Sequence, residues 1–399
     1  MISHMVPESG GASYRAVSLA IAVATAGALP AFLTGGLAVQ IQEELHFGAA
    51  ALGLAVALFF LSSAATSALM GRLVERIGAS RGMRLAAAVS ALSLLGVALL
   101  ARSWPALVVC LVLGGLANAV SHPAANLSLA REIPPGRLGL SFGIKQAALP
   151  AATLLAGLAV PLVAVTFGWR WAFVGGATLA LLVALLVPRR KERGAERVAE
   201  EDRRGDAPIL PLAVLALGIG LGSTAATPLG AFIVNSAVEE GMRVEAAGLL
   251  LATGSACSIA VRVVFGYLAD MMSGGRLRLV AGMLAAGVAG FLMLAVGSGA
   301  LFVAGALVAF GAGWGWPGLF NFAVVKTSPG APAAATGITQ TGASSGAAFG
   351  PLLFGAVVEA ASYEAAWIVS AAAALAALAA ILTGRALLLG GLPPSLRRG

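Results

Sequence analysis

The sequence predicts an all-α membrane protein of twelve transmembrane helices in two pseudo-symmetric six-helix bundles. Three observations predict it: an apolar composition, twelve apolar segments of spanning length, and a repeat near half the chain. Charged residues make up 11% of the 399 and apolar ones 59%, against roughly 25% charge in a soluble domain. No aqueous globule of this length hides so much apolar surface, so the bilayer must be the solvent. The net charge of +8 then reports orientation in the lipid bilayer, and nucleic acid is not an expected partner.

A spanning helix needs about 20 apolar residues. Such segments run 15–38, 48–70, 82–101, 104–130, 138–165, 171–188, 208–234, 246–268, 277–297, 299–325, 333–358 and 364–389. Each is expected to be helical, because backbone facing lipid must satisfy its own hydrogen bonds. The 52 glycines let such helices approach closely where lipid supplies no hydrophobic drive. With the N-terminus inside, 20 of the 25 Lys and Arg lie on the cytoplasmic side, three (Arg102, Arg170, Arg243) outside and two within spans. That bias places both termini in the cytoplasm of a multi-pass plasma (inner) membrane protein. Met1 to Tyr14 lacks the basic-plus-apolar form of a removable signal, so none is expected. Arg189–Asp206, "RRKERGAERVAEEDRRGD", reads as a solvated, partly helical linker. The expected organisation is an N-terminal bundle 1–188, a linker 189–207 and a C-terminal bundle 208–399. Cys110 and Cys257 sit in apolar stretches and read as packing residues.

"MGRLVERIGASR" (Met70–Arg81) and "FGYLADMMSGGR" (Phe265–Arg276) look like two copies of one loop, with Gly71 and Gly266 195 positions apart. At an offset of 194, Ala117–Gln146 and Gly311–Gln340 share six identities in 30: Pro123/Pro317, Pro135/Pro329, Gly136/Gly330, Gly143/Gly337, Ile144/Ile338 and Gln146/Gln340. Two parallel repeats of six spans is a transporter architecture.

These features resemble the major facilitator superfamily over essentially the whole chain. That family's loop between spans two and three runs Gly-x-Leu-Ala-Asp-Arg-x-Gly and then basic residues. Gly71, Leu73, Glu75, Arg76 and Gly78 fit it, with Glu75 in place of aspartate and with Ala79 and Ser80 in place of the basic pair. The second copy keeps Gly266, Leu268, Ala269 and Asp270, while Met271 replaces the arginine. The resemblance implies a clasp favouring the outward-open state. In it the glycines permit close approach of the halves, and the carboxylates face arginine and a helix N-terminus. The plain alternative is a turn with a hydrated acid.

Ionisable residues inside spans are costly, which makes them functional candidates. All 17 acidic residues fall in loops, the linker or span ends, leaving His122, Lys145 and Arg262 inside. Lys145 is placed about seven residues into span five, roughly 10 Å deep at helical rise, and Arg262 at a similar depth in span eight. The resemblance packs span five against span eight, which brings the two cations together. Their repeat counterparts, Thr339 and Ser67, are uncharged. With no buried acid to balance them, an incoming anion is the simplest partner. "RVVFGYLAD" also resembles span eight of monocarboxylate and oxalate–formate carriers, which implies that Arg262 binds a substrate carboxylate. The alternative has Arg262 snorkelling to the cytoplasm and pairing with Asp270.

In the family, spans one, four, seven and ten line the central cavity. Candidates there are Asn118, His122, Asn126, Thr224, Thr227, Trp314, Trp316 and Asn321. His122 is read either as a proton carrier or as a neutral hydrogen-bonding group, and each tryptophan either as packing or as a stacking surface. Gln146 and Gln340 either cross-link the halves or touch solute. Pro123 and Pro317 loosen the helical ladder and free carbonyls. "GASSG" (342–346) and "GWGWPG" (313–318) match catalytic and dinucleotide patterns but lie inside spans, without the strand-turn-helix setting that either chemistry needs. No cofactor or enzymatic activity is expected. The expectation is a monomeric secondary active or facilitative transporter for a small organic anion such as a carboxylate, coupled to a proton or a counter-anion. The runner-up is a multidrug or hydrophobic-compound exporter. Exporters of the family usually carry an acidic residue in span one or four, and none stands there.

Overall fold

The computed structural model describes residues 9–132, 145–189, 209–272, 274–328 and 332–390. Among them, twelve helices are long and apolar enough to cross a membrane. Spans one to six run Arg15–Gly36, Ala49–Ile77, Ala79–Leu100, Trp104–Arg131, Ala148–Phe167 and Trp169–Leu186. Spans seven to twelve run Ile209–Glu239, Val244–Ala269, Arg276–Val296, Ala300–Thr327, Ala335–Ala360 and Tyr363–Gly390. Within the first bundle, span four packs on spans one, two and three, and span three on span six. Within the second, span seven packs on spans eleven and twelve, and span nine on spans ten and twelve. The expected linker, apart from Arg189, and the expected start of span five at 138–144 lie outside the described residues.

Span five differs from its sequence reading. Lys145 is itself helical, Gln146 and Ala147 form a turn, and the helix resumes at Ala148, so Lys145 stands at a break in the span. Pro150 gives the reason, since proline cannot donate to the carbonyl four residues earlier. Three prolines each leave such a carbonyl, and in each case a side chain takes it. The Ala26 carbonyl, freed by Pro30, accepts the Ser90 hydroxyl. The Gly313 carbonyl, freed by Pro317, accepts the Trp316 indole N–H at 2.8 Å. The Gln146 carbonyl, freed by Pro150, accepts Arg262 Nη1–H at 3.0 Å. Spans five and ten also carry π-helical turns, at Val160–Ala164 and Ala309–Gly313, which re-aim the rest of each span.

The bundles meet along three seams: span two on span eleven, span five on span eight, and span one on span seven. The first two are built from glycine. A Cβ at Gly53 would lie 2.2 Å from the Pro351 carbonyl oxygen, and one at Gly157 would lie 2.5 Å from the Ala252 nitrogen. At the third, a Cβ at Gly35 would lie 2.5 Å from Ala231 Cα. These contacts cluster at the end of the molecule opposite the termini. At the linker end, Gly71, Gly266 and Gly337 have nothing within 4 Å among the described residues. The close approach expected of Gly71 and Gly266 is therefore not seen among the described residues in this conformation.

Two polar bonds reinforce the closed end. Asn235 Nδ2–H donates to Gln42 Oε1, and the Ala50 N–H donates to Glu359 Oε2 at 2.9 Å. The second lets a carboxylate of one bundle cap the first turn of a helix in the other, where it also meets the positive end of the dipole. A cap of this kind is worth about 1 kcal/mol. Glu359→Gln should therefore raise the population open at this end several-fold, read as alkylation of a cysteine placed at Ala252. Ala50→Pro, which removes the donor at a first-turn position that tolerates proline, should do the same. The double variant should add little to either. Full additivity would show that the two groups act separately.

A second clasp ties the loop between spans one and two to span six. Glu44 accepts Arg170 Nη1–H at 2.5 Å and the Trp169 indole N–H at 2.7 Å. The Arg170 hydrogen bond, helped by that of Trp169, holds the Glu44 carboxyl below its ordinary range. A lowered folded value means stability that is present above the ordinary carboxylate range and lost as pH falls through the folded value. Both groups are substantially exposed, so the effect is small. Glu44→Gln should lower Tm by about a degree at neutral pH and make no difference in strong acid.

Candidate functional site

Arg262 and Lys145 are both 6% exposed, and the break in span five brings them to adjacent backbone. Arg262 Nη1–H donates to the carbonyl of Gln146, the residue following Lys145, and Nη2–H donates to the carbonyl of Trp314. Its Nε has no partner. Arg262 therefore links span eight to span five of the other bundle and to span ten of its own. It neither reaches the surface nor hydrogen-bonds a described carboxylate; the carboxylate of Asp270 lies outside the described side chains.

Lys145 Nζ–H donates to Asn126 Oδ1 at 2.8 Å and lies 3.2 Å from His122 Nδ1. An ammonium offers only donors, so it fits an imidazole whose Nδ1 is unprotonated. Span four supplies both partners because residues four apart share a helix face. His122 is half-buried and Asn126 exposed, so the lysine connects to the open linker end through the amide. One turn further from that end, Asn118 Nδ2–H donates to Ser63 Oγ at 2.9 Å.

The other expected residues scatter. Trp316 is fully buried in the core of the second bundle, edge-on to Phe320, which is packing and not an exposed stacking surface. Trp314 stands at the bundle interface, with ring centres 5.8 Å from both Phe32 and Phe310. Phe32 also meets Phe60 at 6.2 Å. Thr224 and Thr227 return their hydroxyls to their own helix. Asn321 is half-buried and Gln340 exposed, and neither is among the hydrogen-bond partners of Lys145. Gln146 contributes its backbone carbonyl to the site. Glu75 and Arg76 are both exposed and make no ion pair among the described residues. Gly78 ends span two at a φ of 88°, a value glycine adopts without steric cost.

Sequence reading missed the Thr153–Ser255 hydroxyl pair at 2.7 Å, which bridges spans five and eight about two turns above Lys145. It also missed Ser63, Gln42 and Glu359. Small hydroxyls in apolar spans are a weak signal by themselves, since most return to their own backbone. Pairing across a seam becomes visible only in three dimensions.

A family model for the Major Facilitator Superfamily matches residues 17–216 and again 212–395, one match for each bundle. The chain belongs to the Major Facilitator Superfamily. It is accordingly a membrane transporter and not an enzyme. No curated protein matches it in sequence. Its fold is similar to that of a bacterial homologue of the human lysosomal transporter Spinster, solved inward-facing and occupied. The TM-score is 0.76 at 15% identity, covering 95% of this chain and 98% of that one. The inward-facing, unoccupied structure of a bacterial Spinster homologue gives 0.71 at 17% identity, over 96% and 99%. This superfamily member shares with them the twelve-helix architecture.

Proposed function

We propose that this transporter carries a small organic anion, a carboxylate being the best fit, by alternating access. In this reading the bundles 1–188 and 208–399 rock about the site, joined by 189–207. The observation that carries it is a pair of buried cations at one break in span five, neither hydrogen-bonded to a described carboxylate. Two positive groups in low dielectric are poorly solvated. An incoming anion would supply what neutral carbonyls, an imidazole and an amide do not. Arg262 would give the fork that matches a carboxylate, and Lys145 a point charge beside it. The likeness of "RVVFGYLAD" to monocarboxylate and oxalate–formate carriers supports the same role for Arg262. The lysine and arginine bias supports a cytoplasmic linker end, and the close seams at the opposite end would then make this conformation inward-facing. Coupling would run through a proton, with His122 as the candidate carrier, or through exchange for a second anion.

The aromatic group of Phe32, Phe60, Phe310 and Trp314 favours a second reading, export of hydrophobic compounds, with the cations structural. Uptake of labelled mono- and dicarboxylates into proteoliposomes separates the two. Carriage of an anion should be lost in Arg262→Ala and in Lys145→Ala. Transport unchanged in both variants would remove the site assignment. Drug resistance conferred on cells without any carboxylate uptake would favour export.

A further inference from the structure

We propose that the linker end holds an anionic phospholipid by its headgroup, between spans nine and twelve, on Arg278 and Arg385. Arg278 lies in the first turn of span nine and is exposed; Arg385 lies near the end of span twelve and is partly buried. The charge of Arg278 bears directly on that of Arg385, a repulsion that no described carboxylate relieves: neither arginine is in an ion pair among the described residues. Arg385 Nη2 is buried without a hydrogen-bond partner. A guanidinium nitrogen left so costs free energy until an acceptor arrives. Neighbouring Arg276 is not available for this, since it caps the end of span eight through the Ala269 and Met272 carbonyls.

Position selects the class of ligand. Both arginines sit at the ends of membrane-crossing helices, where headgroups lie, and basic clefts between helices at that depth recognise anionic lipid. Leu277 and Ile381 fill the crevice behind them as part of the buried core. Leu382, three residues before Arg385 on the same helix face, is an exposed large apolar side chain that suits an acyl chain. Two guanidinium forks match the oxygens of a phosphodiester. A soluble phosphate would use the forks and leave Leu382 unused.

The test is retention of lipid by the purified full chain, read by native mass spectrometry after equilibration with equal phosphatidylglycerol and phosphatidylcholine. The wild type should favour phosphatidylglycerol, and Arg278→Gln and Arg385→Gln should each reduce that preference about fivefold, the factor for ~1 kcal/mol per basic residue. Arg278 is exposed, so its variant reports even if Arg385→Gln assembles poorly, and Arg385→Lys should keep part of the preference. Equal retention of the two lipids by the wild type, or an undiminished preference in Arg278→Gln, overturns the proposal. Displacement of phosphatidylglycerol by excess inorganic phosphate would assign the arginines to a soluble anion and overturn it too.

Discussion

Arg262→Met should abolish carboxylate uptake while leaving an assembled protein. Each charge-assisted hydrogen bond to a bound anion is worth about 1.5–3 kcal/mol, so losing two donors lowers transport by at least two orders of magnitude. Stability should change far less. The substitution strands the Gln146 and Trp314 carbonyls, but it also removes a buried cation that lacks a carboxylate partner, and these effects oppose each other. Arg262→Lys is the sharper variant. A lysine keeps the charge but cannot reach two acceptors in the fixed geometry of a planar fork. It should therefore transport poorly, with its loss in apparent affinity. A lysine variant carrying anions like the wild type would show that charge alone is required. A methionine variant with normal uptake would show that the arginine only staples helices.

Gly157→Leu should stop turnover by preventing the bundles from closing at the end opposite the termini. Even a Cβ at this position would sit 2.5 Å from the Ala252 nitrogen and 2.6 Å from the Gly248 carbonyl oxygen, which are backbone atoms that cannot rotate away. Gly53→Val should act alike against the Pro351 carbonyl at 2.2 Å. Either variant should stay folded within each bundle and hold the seams apart. A cysteine reporter at Ala252 should label much faster than in the wild type, with transport reduced to background. Gly71→Ala, facing open space, should not alter labelling of the same reporter in the conformation described. Turnover by Gly157→Leu at a normal rate would mean that the seam is not part of the cycle.

Much of the architecture was legible because the bilayer restricts the choices. Segment length, the Lys and Arg bias and the half-chain repeat lead to twelve helices in two sets before any contact is known. The site was legible in its charges, since burying Lys145 and Arg262 is costly enough to stand out in an apolar chain. Their settings were not. Pro150 carries the information that Gln146 offers a free carbonyl, but nothing in one dimension says which donor from span eight arrives there. Trp316 likewise reads equally as packing or as a binding surface until Gly313 and Phe320 are seen to enclose it. The signature loop was the hardest to read, since Glu75 and Gly71 have no partners among the described residues.

The seams at Gly53, Gly157 and Gly35 bring backbone against backbone. Glycine and alanine have no side-chain rotamers to freeze, whereas each long side chain immobilised at an interface carries a toll of about 0.5–1.5 kcal/mol. Shutting this gate thus orders little besides the two bodies themselves, and the entropic bias against the shut form stays small. A machine that must swing back and forth on thermal motion is well served by a gate that costs so little order to shut.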